Sequence, residues 1–345
     1  MESSLNYPWI SPVLARLASE PKGLPRALLL TGRAGLGKRE TALFLANGLL
    51  CETKRDGLQP CGTCASCLLL KAGNHPDLRV LEVGQEEEPP ASDGEDEVPA
   101  SKKKPARQIS VDKVRALADL VNITSHRGGA KVVCITPAEA MHPSAANALL
   151  KMLEEPPGET WFILVSHQPD RLLPTIRSRC FRLDVALPDP AAALQWLKEQ
   201  GASHGALALA QGGYAPLAAK DRDGDETFWT QRKALLDALA SSSFDLLKAA
   251  DHAEEMDNTV VATLLSRWAF DIAALKSGGG ARYHLDYLSP LQKIARSMPF
   301  EALLGWYDAT LQFGRSAQHP LNKRLAMESL LSGYPNSYSP DNGRN

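Results

Sequence analysis

The sequence predicts a molecule in two parts: an α/β first half, with helices on both faces of a parallel sheet, and a purely helical second half. Three observations carry this. Short apolar runs alternate with helix-patterned segments as far as residue 184, the order a parallel sheet with crossover helices requires. Some runs, such as Val132-Val133-Cys134-Ile135, are apolar throughout, as strands covered on both faces are. From about residue 228 no convincing strand pattern occurs, and apolar residues recur at helical spacing.

Taken in order, strands are expected at 27–31 (ALLLT), 79–83 (RVLEV), 132–136 (VVCIT), 161–165 (WFILV) and 180–184 (CFRLD). Helices are expected at 38–50, 110–121 and 143–154; in the last, Ala146, Leu149, Leu150 and Leu153 fall at helical spacing. Residues 84–107 hold seven acids and four basic residues, with Val98 the one large aliphatic side chain. Such a segment cannot bury enough apolar surface to offset its ordering entropy, so it reads as a disordered surface insert, with a charged interaction tail as the alternative. LPDP at 187–190 marks a boundary, a short helical region runs to about 220, and AAKDRDGDET (218–227) reads as a polar linker. Beyond it Val261, Leu264, Leu265, Trp268 and Ile272 share one helical face, and Leu303, Leu304, Tyr307 and Leu311 share another. SYSPDNGRN at the end is expected to fray. The expected domains are therefore 1–187, carrying an excursion at 51–67 and the insert at 84–107, then 188–227, then 228–335, with a tail at 336–345.

A chain of 345 residues, 44% hydrophobic and 23% charged, can bury a substantial core. MESSLNYPWI has no basic region followed by an apolar one, and no apolar run approaches the roughly 20 residues that span a bilayer, so a cytoplasmic protein is expected. A net charge of −2 argues against a protein whose main business is coating nucleic acid, although a local basic patch stays open.

Between the first strand and the helix at 38–50 lies TGRAGLGKRET (31–41), almost a phosphate-binding loop. Gly32, Gly35, Gly37 and Lys38 could hold phosphate through backbone N–H groups, the helix N-terminus and the ammonium. The next position should offer a hydroxyl to Mg²⁺, but it is Arg39, which cannot ligate a cation and whose charge would repel one. An acidic pair should close the strand at 131–135, yet Thr136-Pro137-Ala138 follows and the first carboxylate is Glu139. Two cation-handling positions are thus missing, which points away from ATP hydrolysis. Weak nucleotide binding and an inert turn both stay open.

Cys51, Cys61, Cys64 and Cys67 are spaced Cx9Cx2Cx2C in a polar stretch, GLQPCGTCASC. Four thiolates close a tetrahedral shell, so this pattern predicts a structural Zn²⁺ site. His75 reads as a surface histidine, with a substitute metal ligand as the alternative. Cys134 and Cys180, in apolar segments, read as small core residues.

KVVCITPAEAMHPSAANALLKMLEEPP (131–157), then WFILVS and LPTIRSRC (173–180), resembles the AAA+ clamp-loader family of bacterial DNA replication, part of the DNA polymerase III machinery. The four-cysteine knuckle between the phosphate-loop helix and the second strand is similar to that family's too, and the likeness covers essentially the whole chain except 84–107. It implies a RecA-like AAA+ domain, a small helical lid, and a C-terminal helical collar through which subunits assemble, HPLNKRLAMESLL (319–331) resembling the last collar helix. It also implies partners: the loader's ATPase subunits (gamma/tau) and its delta subunit in a hetero-pentameric ring, the sliding clamp, and primed DNA. Within the family the ATPase subunits carry the hydroxyl, the acidic pair and a lid arginine. Here Arg39 stands for the first, Thr136-Pro137 for the second, and Pro216 about where the third would be, while SRC is intact. That combination is similar to the family's stator branch, whose own site does not hydrolyse ATP. The resemblance implies that Arg179 is an arginine finger acting on a neighbour's ATP site, with Arg177 a weaker candidate at the same boundary. An active loader ATPase with an unusual loop, and a zinc-bearing adaptor of another AAA+ assembly, are the alternatives.

Overall fold

The computed structural model describes residues 5, 7–20, 23–53, 58–84, 108–127, 129–317 and 322–334. The disordered insert expected at 84–107 and the frayed end expected from 337 lie outside the described residues, apart from Gly84. The chain divides into two compact units, residues 1–188 and 189–345.

The first unit runs α1 (Ser11–Ala18), β1 (Ala27–Thr31), α2 (Lys38–Leu50), α3 (Ala65–Lys71), β2 (Leu78–Glu82), α4 (Val111–Asn122), β3 (Lys131–Thr136), α5 (Pro143–Glu154), β4 (Thr160–Ser166), α6 (Pro174–Arg177) and β5 (Phe181–Asp184). All strand pairings are parallel, in the order β2-β3-β4-β1-β5, the expected α/β, RecA-like sheet. β1 and β3 are buried at every position because both neighbours and both faces are covered. On one face Leu29, Val133, Ile135, Phe162 and Leu164 pack with Val114 and Leu117 of α4 and Leu149 and Leu153 of α5. α2 packs against β3 and β4. Register places Leu28 beside Phe181 and Thr31 beside Asp184, so β5 is an edge strand beginning level with the start of β1. Cys134 and Cys180 are buried, as expected of core residues.

The second unit is helical throughout its described residues: α7 (Pro190–Glu199), α8 (Gly205–Gln211), α9 (Pro216–Asp223), α10 (Glu226–Ala240), α11 (Leu246–Glu254), α12 (Asn258–Lys276), α13 (Leu288–Ser297), α14 (Phe300–Ser316) and α15 (Lys323–Ser332). Two sequence expectations fail here. AAKDRDGDET is not a linker: α9 occupies most of it, Ala219 is buried, and Asp223 accepts the Ser203 and His204 N–H groups at 2.8 and 2.6 Å. On α14 the buried stripe is Leu303, Trp306, Thr310 and Phe313, while Leu304 and Leu311 are 42% and 38% exposed. The face of α12 is as expected, with Val261, Leu264, Leu265, Trp268 and Ile272 all in the core.

That core also encloses charge. Asp271 of α12 is fully buried and accepts the backbone N–H groups of Arg282, Tyr283 and His284 at 2.7, 3.0 and 2.7 Å. His284, equally buried, brings Nδ1 within 3.0 Å of the same carboxylate, and its Nε2 has no hydrogen-bond partner. Arg232 grips Asp286 with both terminal nitrogens at 2.7 Å. Among the described residues, no helix is long and apolar enough to cross a membrane.

Candidate functional site

β1 delivers the chain into the phosphate loop, and two glycines there are required by their surroundings. A Cβ on Gly32 would lie 2.4 Å from the Val185 carbonyl oxygen. Gly37, at φ 78°, opens α2 from the left-handed region, and a Cβ on it would lie 2.7 Å from the Tyr7 ring. The N-terminal segment thus lies on the loop, with the Trp9 indole N–H donating to the Leu36 carbonyl at 2.9 Å. Local periodicity could not have shown this, because the contact joins residues 27 positions apart. Lys38 is only 2% exposed, and its Nζ donates to the Arg33 carbonyl at 2.5 Å. Burial lowers its pKa to about 8, against the opposing pull of Glu139 and Glu40.

Arg39 does not aim its charge at the loop. Its Nε donates to Glu82 Oε1 at 2.5 Å, at the end of edge strand β2, and that bond raises the guanidinium's pKa. The expected repulsion of a cation is therefore corrected to a neutralising pair; what stands is that Arg39 supplies no hydroxyl. Thr136 and Pro137 close β3 without a carboxylate. Glu139 Oε1 accepts the N–H groups of His167 and Gln168 at 2.9 and 3.1 Å, and its Oε2 is buried with no hydrogen-bond partner. His167 has its pKa lowered by burial and then by the Lys38 charge. His167 has no motif spacing in the sequence to mark it. Pro216 sits in the first turn of α9 and is buried.

The knuckle follows α2. The four sulfurs of Cys51, Cys61, Cys64 and Cys67 lie within 4.8 Å of one another, and the pairs Cys51–Cys64 and Cys61–Cys67 are each 3.9 Å apart. A tetrahedral Zn²⁺ with bonds of about 2.3 Å sets its sulfurs roughly 3.8 Å apart, so the four fit a metal ion. Backbone N–H groups already face them: Cys61 N points at Cys51 Sγ (3.3 Å), Cys64 N at Cys61 Sγ (3.3 Å) and Cys67 N at Cys64 Sγ (3.4 Å). The N–H groups of Thr63 and Cys64 bring Cys61 down to about 5, whereas burial pushes Cys67 up to about 12. A bound dication would remove that second cost by making each sulfur a ligand.

His75 is neither a surface group nor one of the clustered ligands. It is 4% exposed, takes the Asp77 N–H on Nδ1 at 3.1 Å, and sets Nε2 3.2 Å from the Ser66 hydroxyl. Burial lowers its pKa. Ser66 donates onward to Glu52 Oε1 at 3.0 Å, which also takes Arg127 Nε at 2.9 Å, so the knuckle is tied to the start of β2 and to the turn before β3.

Arg179 stands in the turn between α6 and β5. Its Nε donates to Glu154 Oε1 at 2.6 Å, Nη2 pairs with the same oxygen, and Nη1 donates to the Thr175 carbonyl at 3.0 Å. Arg177 pairs with Asp170 at 3.1 Å. Because β5 runs parallel to β1, Arg179 lies at the N-terminal end of the strands and the phosphate loop at their C-terminal end. The structure brings the loop residues together and the cysteines together, and keeps Arg179 apart from the loop.

A family described as "DNA polymerase III, delta subunit" matches residues 11–188, and one described as its C-terminal part matches 226–334. DNA polymerase III subunit delta-prime of Pseudomonas aeruginosa is 36% identical over 341 residues, spanning 94% of this chain and 96% of that one. The Yersinia pestis and Escherichia coli subunits of the same name are each 36% identical; the first spans 86% of this chain and 85% of its own, the second 71% and 70%. With both halves matched, and with relatives this similar over most of their length, the chain belongs to the delta-prime family of DNA polymerase III, the clamp-loader subunits of DNA replication.

Proposed function

We propose that this clamp-loader subunit is a stator: it hydrolyses no ATP itself and lends Arg179 to a neighbouring subunit's ATP site. The observation that carries the reading is the placement of Arg179. From Leu28 to Thr31 the register spans about 10 Å of strand, so Arg179 and the loop lie at opposite ends of the sheet. A guanidinium there is turned away from its own loop and exposed at an edge, where another chain can meet it. Permanently charged and planar, it suits the charge that builds on a transferred phosphoryl group.

The loop supports the same reading from the other side. Arg39, Thr136 and Pro137 offer neither the hydroxyl nor the acidic pair, and Glu139 commits one oxygen to two backbone N–H groups. Gly32, Gly35, Gly37 and Lys38 retain the means to hold phosphate weakly, without turnover. The four cysteines hold one structural Zn²⁺, closed to substrate because every ligand position is thiolate. The partners are the loader's gamma/tau ATPases and its delta subunit in a five-membered ring, acting on the sliding clamp and primed DNA in the cytoplasm.

Reconstitution tests this. The isolated chain with Mg²⁺ and primed DNA should release no phosphate above background, and adding it to the remaining subunits should restore DNA-stimulated ATPase and clamp loading. Robust Mg²⁺-dependent turnover by the chain alone would overturn the proposal in favour of an active ATPase subunit.

A further inference from the structure

We infer that Glu154 is a positioning residue, a splint that holds the flank of the Arg179 guanidinium and leaves its tip for the neighbour's phosphoryl oxygens. This rests on the reading of Arg179 given above. Both ends of the splint are anchored in the core. Glu154 is the last residue of α5, directly after Leu153, which is buried with Leu149 against the sheet. Arg179 follows α6, whose Ile176 is fully buried and accepts the Arg179 backbone N–H at 3.1 Å.

The guanidinium carries N–H donors on three nitrogens, five in all. Nε and one donor of Nη2 face Glu154, and one donor of Nη1 faces the Thr175 carbonyl. One donor is left on each terminal nitrogen, a pair suited to two oxygens of a single phosphoryl group. Glu154 is thus compatible with the task rather than competing for the same donors.

Arg177 supplies the contrast. Its partner Asp170 is 96% exposed, whereas Glu154 is 48% exposed. Exposed pairs of either kind contribute little to stability, so the value of Glu154 lies in where it fixes the guanidinium. An unsplinted arginine would have to order its long side chain each time the neighbour's site reacts, which slows the chemical step more than it weakens ATP binding.

The test uses the fully assembled loader with Glu154→Ala, Glu154→Gln, Arg179→Ala and the double variant Glu154→Ala/Arg179→Ala, with subunit stoichiometry measured in each case. DNA-stimulated ATPase should fall in Glu154→Ala by most of the loss that Arg179→Ala shows and by no more than it, in kcat rather than in KM for ATP. Glu154→Gln keeps an acceptor oxygen, so it should recover part of the rate, and the double variant should match Arg179→Ala alone. If Arg179→Ala is impaired but Glu154→Ala turns over at the wild-type rate or faster, Glu154 is no splint, and a faster rate marks it as a restraint. Losses that add in the double variant also overturn the inference, because Glu154 would then act through another group. Should Glu154→Ala fail to assemble, the kcat and KM of Glu154→Gln decide. A wild-type rate for Arg179→Ala would instead sink the finger itself, an outcome separate from failure of the splint.

Discussion

At Arg39 the side chain standing where a cation ligand belongs reaches sideways to Glu82, so a hydroxyl restored there regains one ligand and leaves a carboxylate unpaired. Breaking a half-exposed pair of this kind costs about 0–1 kcal/mol, so Arg39→Thr should fold normally. It should also gain no ATPase, because Thr136 and Pro137 still provide no carboxylate; phosphate release above background by the variant would refute this. Arg179→Ala should leave the chain folded and able to assemble, since the side chain is partly exposed and its ion-pair partner Glu154 is half exposed, a pair of a kind that contributes little to stability. The loss should appear in a neighbour's DNA-stimulated ATPase and in clamp loading. Arginine fingers contribute roughly 10³–10⁵ in GTPases, but the bulk effect here should be much smaller, because other sites in the ring keep their own. Arg179→Lys should rescue poorly, lacking the planar fork. Wild-type ATPase in a complete Arg179→Ala complex would return this residue to an ordinary surface pair with Glu154.

Among the elements, the knuckle bears the clearest consequence, because Ser66, between two of its cysteines, is hydrogen-bonded to Glu52 and His75. Cys64→Ser should release the single zinc expected per chain and loosen 51–67. Through Ser66, His75, Glu52 and Arg127 the loosening should spread to the turn before β3 while α10 to α15 stay protected. Metal analysis with hydrogen exchange reads both parts; well under one zinc in gently purified wild-type protein would count against the assignment. The strands were legible in the sequence to within one residue at either end, because a strand covered on both faces must be a continuous apolar run bounded by polar residues. The cysteines and loop glycines were legible for a similar reason: close spacing along the chain is itself the signal. What escaped was set by partners distant in sequence. α9 looked like a linker because its acids show charge locally, while Asp223 satisfies N–H groups twenty residues earlier. The face of α14 was misjudged because Leu303 and Leu304 are equally apolar, and only the packing partners choose between them. Tyr7 and Trp9 over the loop, and the buried place of His75, depended on tertiary contacts in the same way.

At the scale of whole units, the buried His284 gives the helical one a pH response of fixed sign. Burial lowers its pKa below the ordinary 6.5, with Asp271 pulling the other way, and Arg232 and Asp286 are the other charges facing it. The unfolded chain takes up a proton as pH falls through about 6.5 and the folded chain does not, so stability falls with it until the lower folded value is reached. For one site the slope is at most about 1.4 kcal/mol per pH unit. The urea midpoint should drop between pH 7.5 and 5.5, and drop less in His284→Asn, which keeps an N–H near Asp271; equal slopes in the two proteins would refute the assignment. The other unit holds a different consequence. Under the proposed function its sheet would have a giving end, at Arg179, and a receiving end, at the phosphate loop, so subunits joined through these ends would meet head to tail, by two unlike surfaces. A row built that way has a direction. Under the proposed reading this subunit gives without receiving, so around the five-membered ring the boundary at its own loop is the one where no ATP is called on to fire.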